Sequence, residues 1–269
     1  MTQDLALDDK LAALRAQLTA HAPLVIAYSG GVDSTYLLAE AHRVLGSDVV
    51  GVIADSASLP RQALADALAV GAQIGARVEV VRTDELTNPD YASNPPNRCY
   101  FCKAELFTKL DALARERGFR AIAYGENADD ATQVRPGRTA AAEFSILAPL
   151  REANLTKAEI REASRALGLP TADAPAQPCL SSRIPWGTPV TAEALAMIEQ
   201  AEAAVRALGF QVFRVRHLVE AGAAPRARVQ IAPGEMARLA AERFPLEEAL
   251  LTAGYSAVEI DPAGYQGTS

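Results

Sequence analysis

Several kinds of residue are scarce in this chain, and each scarcity excludes something. Histidine occurs three times in 269 residues, and cysteine also three times. Three cysteines cannot build a four-cysteine zinc site, and an odd number argues against the paired framework of a small secreted domain. His21, His42 and His217 stand in segments with no ligand-like spacing. Positive charge is short as well: 26 Lys and Arg face 33 Asp and Glu, a formal net charge of −7. A broad grip on nucleic-acid phosphates is therefore not expected. No run approaches the roughly 20 apolar residues that cross a bilayer, so no membrane partner is expected either. The opening MTQDLALDDK carries acids and no apolar core. No secretory signal is expected from it, and a cytoplasmic protein is.

What remains is the composition of an ordinary soluble protein, 49% hydrophobic and 22% charged, long enough for a main domain and a smaller one. Residues 5–20 have apolar spacing of helical period. Short apolar runs at 24–29, 48–55, 78–84 and 121–125 read as strands, with 146–150 a possible fifth, and helical patterns fall between them. Alternating strand and helix with near-continuous apolar strands predicts an α/β fold, a parallel sheet covered by helices on both faces. Thr156 and Glu159 have capping-box spacing at the start of a helix. The stretch 170–190 is rich in Pro and small residues and too long for a plain connector. Beyond it a helix, two strands, a helix and a last strand predict a smaller α+β domain. The expected domains are 1–189 and 190–269.

Ligands of such a sheet gather at the carboxyl ends of the strands, and the distinctive motifs fall there. Ser29-Gly30-Gly31-Val32-Asp33-Ser34 stands between a strand and a helix. Two glycines allow close approach of a ligand to the backbone, and the helix start offers unpaired N–H groups and a positive dipole end. Ser29 and Ser34 add hydroxyls. The motif lacks the lysine of G-x-x-x-x-G-K-[ST]. A plain helix cap with two turn glycines is the bland alternative. After the fourth strand, Gly125-Glu126-Asn127-Ala128-Asp129-Asp130 offers paired carboxylates. Asp129 and Asp130 either hold Mg²⁺, a cation that takes oxygen ligands and phosphates, or simply enrich a helix start in acid.

The pair Cys99 and Cys102, expected in a loop before a helix and flanked by Arg98 and Lys103, has thiolates favoured by that helix start and those cations. A C-x-x-C serves as a redox pair, part of a zinc or iron–sulfur site, or a pair of structural thiols. Cys179 lies in Pro178-Cys179-Leu180-Ser181-Ser182-Arg183-Ile184-Pro185, beside two hydroxyls and a fixed positive charge. A lone cysteine is more often a small apolar filler. Arg214 and Arg216 alternate on a strand and so share a face, suited to bidentate capture of a phosphate or to a solvated surface. Glu202 is either a ligand of a second divalent cation or a solvated helix residue.

The Ser29–Ser34 string resembles the PP-loop of the ATP pyrophosphatase superfamily, which includes GMP, NAD and argininosuccinate synthetases and tRNA-thiolating enzymes. That resemblance implies the fold of the adenine nucleotide α-hydrolases and cleavage of ATP between its α and β phosphates. It assigns Ser29, Gly30, Gly31, Asp33, Ser34, Gly125 and Asp55 to ATP, with the adenine ring beside Asp55 and Ser56. Taken with R-C-x-x-C-K, G-x-N-A-D-D, P-C-L-S-S-R-I-P-x-G and Phe213–His217, the chain resembles the LarE family over most of residues 20–220. LarE proteins are ATP-dependent sulfur insertases that make the precursor of the nickel-pincer nucleotide of lactate racemase. The implied substrate is a nucleotide-like small molecule, pyridinium-3,5-biscarboxylic acid mononucleotide. One of its carboxylates is adenylated, and sulfur then replaces the AMP oxygen.

Family members supply that sulfur in two ways. Some sacrifice the cysteine matching Cys179. Others hold a [4Fe–4S] cluster on three cysteines, the pattern matched by Cys99, Cys102 and Cys179. The cluster form is expected here, reloaded by sulfide or a cysteine desulfurase. The resemblance further implies Arg183, Arg214 and Arg216 as the substrate-phosphate site and a trimeric or hexameric homo-oligomer. Rival expectations are a PP-loop tRNA thiolase, an ammonia-using synthetase and a non-catalytic nucleotide sensor. The acidic charge and the P-C-L-S-S-R-I-P string weigh against the first.

Overall fold

The computed structural model describes residues 6–132, 136–220 and 222–265. In chain order the elements run α1 (Leu7–His21), β1 (Leu24–Ala27), α2 (Val32–Leu45), β2 (Val49–Asp55), α3 (Arg61–Ile74), β3 (Val78–Arg82), α4 (Pro89–Ala92) and α5 (Arg98–Arg117). Then come β4 (Ala121–Tyr124), α6 (Pro136–Glu143), α7 (Pro149–Glu152) and α8 (Lys157–Ala166), followed by α9 (Ala192–Ala207), β5 (Phe213–Leu218), β6 (Arg226–Ile231), α10 (Met236–Thr252) and β7 (Ala257–Ile260). They divide into two compact units. One runs to Glu85 and resumes over Asn97–Gln177; the other joins Leu86–Pro96 to the residues from Pro178 onward.

The first unit is the expected α/β sheet. Its four strands are all parallel, in the order β3-β2-β1-β4. Alternate residues of each strand serve different cores, as the two-residue repeat of a strand requires. Leu24 and Ile26 pack with Leu14, Leu37, Leu38 and Ile160 on one face. Val25, Val50 and Val52 pack with Phe107, Leu110 and Ala140 on the other. A sheet buried on both faces needs apolar residues at every position, which is why the inner strands β1 and β2 read as near-continuous apolar runs, while the edge strand β3 carries Glu79 and Arg82. The chain leaves β1 toward β2 on one side and later returns to β4 on the other. The loops after β1 and β4 therefore part at a switch point, where such sheets open a crevice.

Two local expectations are corrected. Residues 146–150 form no strand: Leu147 makes a single parallel bridge to Ala123. Pro149 then starts a helical turn, and a proline has no N–H to extend a ladder. The second concerns Cys99 and Cys102, which lie within the first two turns of α5 rather than in a loop before it. Pro95 and Pro96 disfavour helix upstream and set its start at Arg98.

The second unit has a three-stranded sheet, β5-β6-β7, antiparallel then parallel. Phe213, Val215, Val229 and Ile231 pack with Val205 of α9 and Leu246 and Leu250 of α10. That leaves Arg214 and Arg216 on the opposite face of β5, as their alternation predicts. His217, on the covered face, meets the Tyr255 hydroxyl at 3.2 Å, and burial pushes its pKa down. No helix among the described residues is long and apolar enough to cross a membrane.

Candidate active site

The turn after β1 is tightly closed. Gly30 has φ +74°, and a Cβ there would lie 2.6 Å from that of Ala67 on α3. Only glycine satisfies both conditions. The hydroxyls of Ser29 and Ser34 are 2.9 Å apart, and the Ser34 hydroxyl also accepts from the Ser29 N–H. The turn is thereby closed on itself directly before α2, whose first N–H groups have no partners within the helix. Gly125, directly after β4, lies against that same helix start, where a Cβ would lie 2.7 Å from the Ser34 nitrogen.

The loop after β4 is stitched to this turn. Asn127 donates from Nδ2 to Asp33 at 3.3 Å, and its Oδ1 accepts from the N–H groups of Asp129 and Asp130. Asp129 in turn accepts from the Lys157 N–H at 2.8 Å. Beneath them Glu126 is buried and held by Arg151 at 2.6 Å, Arg138 at 2.9 Å and the Tyr124 hydroxyl. Burial raises the pKa of Tyr124 and the Glu126 carboxylate raises it further, so its proton stays in place to donate. Asp55 ends the neighbouring strand at a cleft of about 440 Å³ lined by Ser56, Arg61, Arg82, Asp84 and Lys109. Arg61 binds the Asp55 carboxylate and the Ser56 carbonyl.

Cys99 and Cys102 are both reduced, and three residues apart on α5 they share one helix face. Cys102 donates weakly to Glu85 at 3.8 Å. That buried carboxylate also accepts from Ser58 at 3.1 Å.

In the second unit, the loop carrying Cys179 is fastened at Ser181, Ser182 and Arg183. Ser181 meets the Tyr91 hydroxyl at 2.7 Å, both buried. Arg216 donates to the Ser182 carbonyl at 2.8 Å. Arg183 donates to the carbonyls of Pro178 and Cys179 and makes a bidentate pair with Glu202 at 2.7 and 2.9 Å. Asn94 supplies a further tie by donating to the Pro185 and Thr188 carbonyls, at 2.8 Å each. Tyr91 and Asn94, which stand in no motif of the sequence, are therefore what hold the Cys179 loop in shape.

Arg214 is 4% exposed and stacks 4.6 Å from the Tyr265 ring centre, yet its Nη2 is buried without a hydrogen-bond partner. Burial lowers the pKa of both Arg214 and Arg216, and the charge of Arg183 lowers them further. Three guanidinium groups thus crowd around one carboxylate, Glu202, with a donor left over. An anion completes such a site. Glu202, expected among the metal ligands, gives both oxygens to Arg183 and accepts from the Val215 N–H as well. Among the described residues, no group of three or more His, Cys, Asp or Glu side chains is placed to hold a metal ion. Mg²⁺ bound by one or two carboxylates and nucleotide phosphates needs no such group.

The Arg183–Glu202 pair makes a stability prediction. Its two side chains are each 8% exposed, and removing one partner of a buried pair leaves the other charge uncompensated, at a cost of about 3–5 kcal/mol. Glu202→Gln should lower the unfolding free energy in urea by an amount of that order. A loss under about 1 kcal/mol, typical of exposed pairs, would show that the pair is not desolvated.

No family model matches the chain. Sequence similarity to known proteins nevertheless extends over nearly all of it. An uncharacterised protein of Synechocystis sp. is 40% identical over 262 residues, 97% of this chain and 96% of that protein. The pyridinium-3,5-bisthiocarboxylic acid mononucleotide synthase of Lactiplantibacillus plantarum is 30% identical over 258 residues, 96% of this chain and 92% of that enzyme. A glutamine-hydrolysing GMP synthase of Thermomicrobium roseum is 32% identical over 68% of this chain, but over only 39% of its own length.

Proposed function

The chain belongs to the LarE family, that of the pyridinium-3,5-bisthiocarboxylic acid mononucleotide synthase, and from that premise we propose that it is an ATP-dependent sulfurtransferase making the thiocarboxylate precursor of a nickel-pincer nucleotide. The observation that carries the ATP half of this reading is the Ser29–Ser34 turn, closed by its own hydroxyls and crowded by Ala67 and the end of β4 so that glycine is required at Gly30 and Gly125. Backbone N–H groups at the start of α2 receive phosphate oxygens, and the helix dipole favours their charge. A substrate carboxylate oxygen attacks the α-phosphorus, the bond to the α,β-bridging oxygen breaks, and pyrophosphate departs. The acyl carbon now carries AMP as leaving group, and a sulfur nucleophile displaces it. Asp33 and Asp129 would hold Mg²⁺ against the phosphates.

The unsatisfied Nη2 of Arg214, beside Arg183 and Arg216, supports a site for the substrate's own phosphate. The sulfur source is read from the three reduced thiols, Cys99, Cys102 and Cys179. Thiolates are the donor set that iron–sulfur clusters take. A [4Fe–4S] cluster on three of them would supply one iron without a protein ligand, open to carry a sulfide.

The decisive experiment supplies ATP and pyridinium-3,5-biscarboxylic acid mononucleotide to anaerobically purified protein. Pyrophosphate and AMP should appear in step with a product in which sulfur replaces oxygen by mass. Pyrophosphate release that ignores the carboxylated nucleotide would overturn the substrate, and none at all would overturn the ATP chemistry.

A further inference from the structure

The Ser29–Ser34 turn contains no lysine, although a phosphate loop that cleaves a triphosphate gains from a cation at the departing end. Lys157 stands where that cation is needed. Its ammonium lies 2.9 and 2.8 Å from the two oxygens of Asp33, in the first turn of α2. We propose that Lys157 is the phosphate-loop lysine of this protein, contributed by a distant helix, and that it exchanges Asp33 for the β- and γ-phosphates of ATP and for the pyrophosphate that leaves. This inference rests on the ATP reading above and adds to it a residue in contact with the leaving group.

The main chain at Lys157 is held independently of its ammonium. Thr156 caps α8 in a box with Glu159, and Glu159 is itself held by the buried Lys10 of α1 at 2.7 Å. The Lys157 N–H is tied to Asp129. The start of α8 is thus pinned beside the loop after β4 by groups that do not involve the ammonium. The ammonium's pair with Asp33 is half-exposed, 38% at the lysine and 17% at the aspartate, and exposed pairs are worth little. A triphosphate carries more negative charge than one carboxylate and offers several acceptors, so the exchange runs toward the nucleotide. Asp33, left with Asn127, is then released to face the bound cation. In the bond-breaking step the electron pair of the α-phosphorus–oxygen bond goes to the pyrophosphate oxygen, and Lys157 stabilises that developing charge without giving up its proton.

Inorganic pyrophosphate titrated calorimetrically into the full chain tests this without a substrate. Lys157→Met should weaken its binding by about 10- to 100-fold, the worth of a charged hydrogen bond, while the melting temperature stays close to that of the wild type. Lys157→Arg should restore part of the loss. With EDTA present throughout, so that Asp33 has no cation to hold, Asp33→Asn frees the lysine and should bind pyrophosphate at least as tightly as the wild type. If Lys157 were only a strut for Asp33, both Lys157→Met and Asp33→Asn would lose binding together, and that result overturns the proposal. Equal binding by wild type and Lys157→Met overturns it as well, leaving the ATP reading intact. A wild-type chain that binds neither pyrophosphate nor ATP overturns both.

Discussion

Cys179→Ala should abolish thiocarboxylate formation to the detection limit while pyrophosphate release from ATP continues. The substitution removes one sulfur atom and little else. Arg183 holds the Cys179 loop through the backbone carbonyls of Pro178 and Cys179, and Tyr91 holds it through the Ser181 hydroxyl. None of these contacts uses the Cys179 side chain, so the alanine variant keeps the loop and its Arg183–Glu202 anchor. Adenylation is expected from groups of the first unit, Ser29 to Ser34 and the loop after β4, and does not draw on the thiol. Simultaneous loss of both activities would mean that the thiol acts in ATP binding. The same variant separates the two sulfur sources when read beside Cys99→Ala and Cys102→Ala. Iron and sulfide lost in all three after anaerobic reconstitution would establish a shared cluster. Iron-free wild-type protein with dehydroalanine at position 179 after turnover would establish a sacrificial thiol and remove the cluster from the mechanism.

The second large effect is expected at Gly125. An alanine Cβ there would lie 2.7 Å from the Ser34 nitrogen and 2.9 Å from the Asp33 carbonyl carbon. These are backbone atoms of the first turn of α2 and cannot rotate away. The strand and the helix must part, at an overpacking cost of about 1–3 kcal/mol. The parting displaces the N–H groups proposed to receive phosphate, and a shift of about 1 Å in a reacting geometry costs about 10²-fold in rate. Gly125→Ala should therefore lower both the melting temperature and, by that factor or more, kcat/KM for pyrophosphate release. Gly234→Ala is the matched control, because nothing lies within 4 Å of a Cβ built there and its φ is not positive. Unchanged kinetics in Gly125→Ala would show that β4 does not set the position of the Ser29–Ser34 turn.

Much of this site is legible in the amino-acid sequence, for one physical reason. Contacts within a few residues of each other leave a local pattern. The apolar runs of β1 and β2 announce a sheet buried on both faces. The Ser29–Ser34 turn carries its glycines and hydroxyls in one string. Thr156 and Glu159 have the spacing of the box they form. Arg214 and Arg216 share a face because a strand alternates. Cys99 and Cys102 are visible as a pair, but their place on a helix turn depends on where Pro95 and Pro96 allow a helix to begin.

What lies hidden is the set of contacts between residues far apart in the chain. Lys157 meets Asp33 across 124 positions, and no spacing rule reaches that far. Tyr91 and Ser181 are 90 apart, and Asn94 ties down the 184–188 stretch from a similar distance. Residues 86–96 fall inside the expected domain 1–189, yet they group with the C-terminal unit, and the side chains of Tyr91 and Asn94 satisfy its loop. Glu202 reads as a solvated acid or a metal ligand until burial places it opposite Arg183. The sequence by itself determined the class of fold, the Ser29–Ser34 turn and the three thiols, since each is written in neighbouring residues. Only the tertiary structure decided which charges face one another, because burial and long-range packing choose partners that no local pattern records.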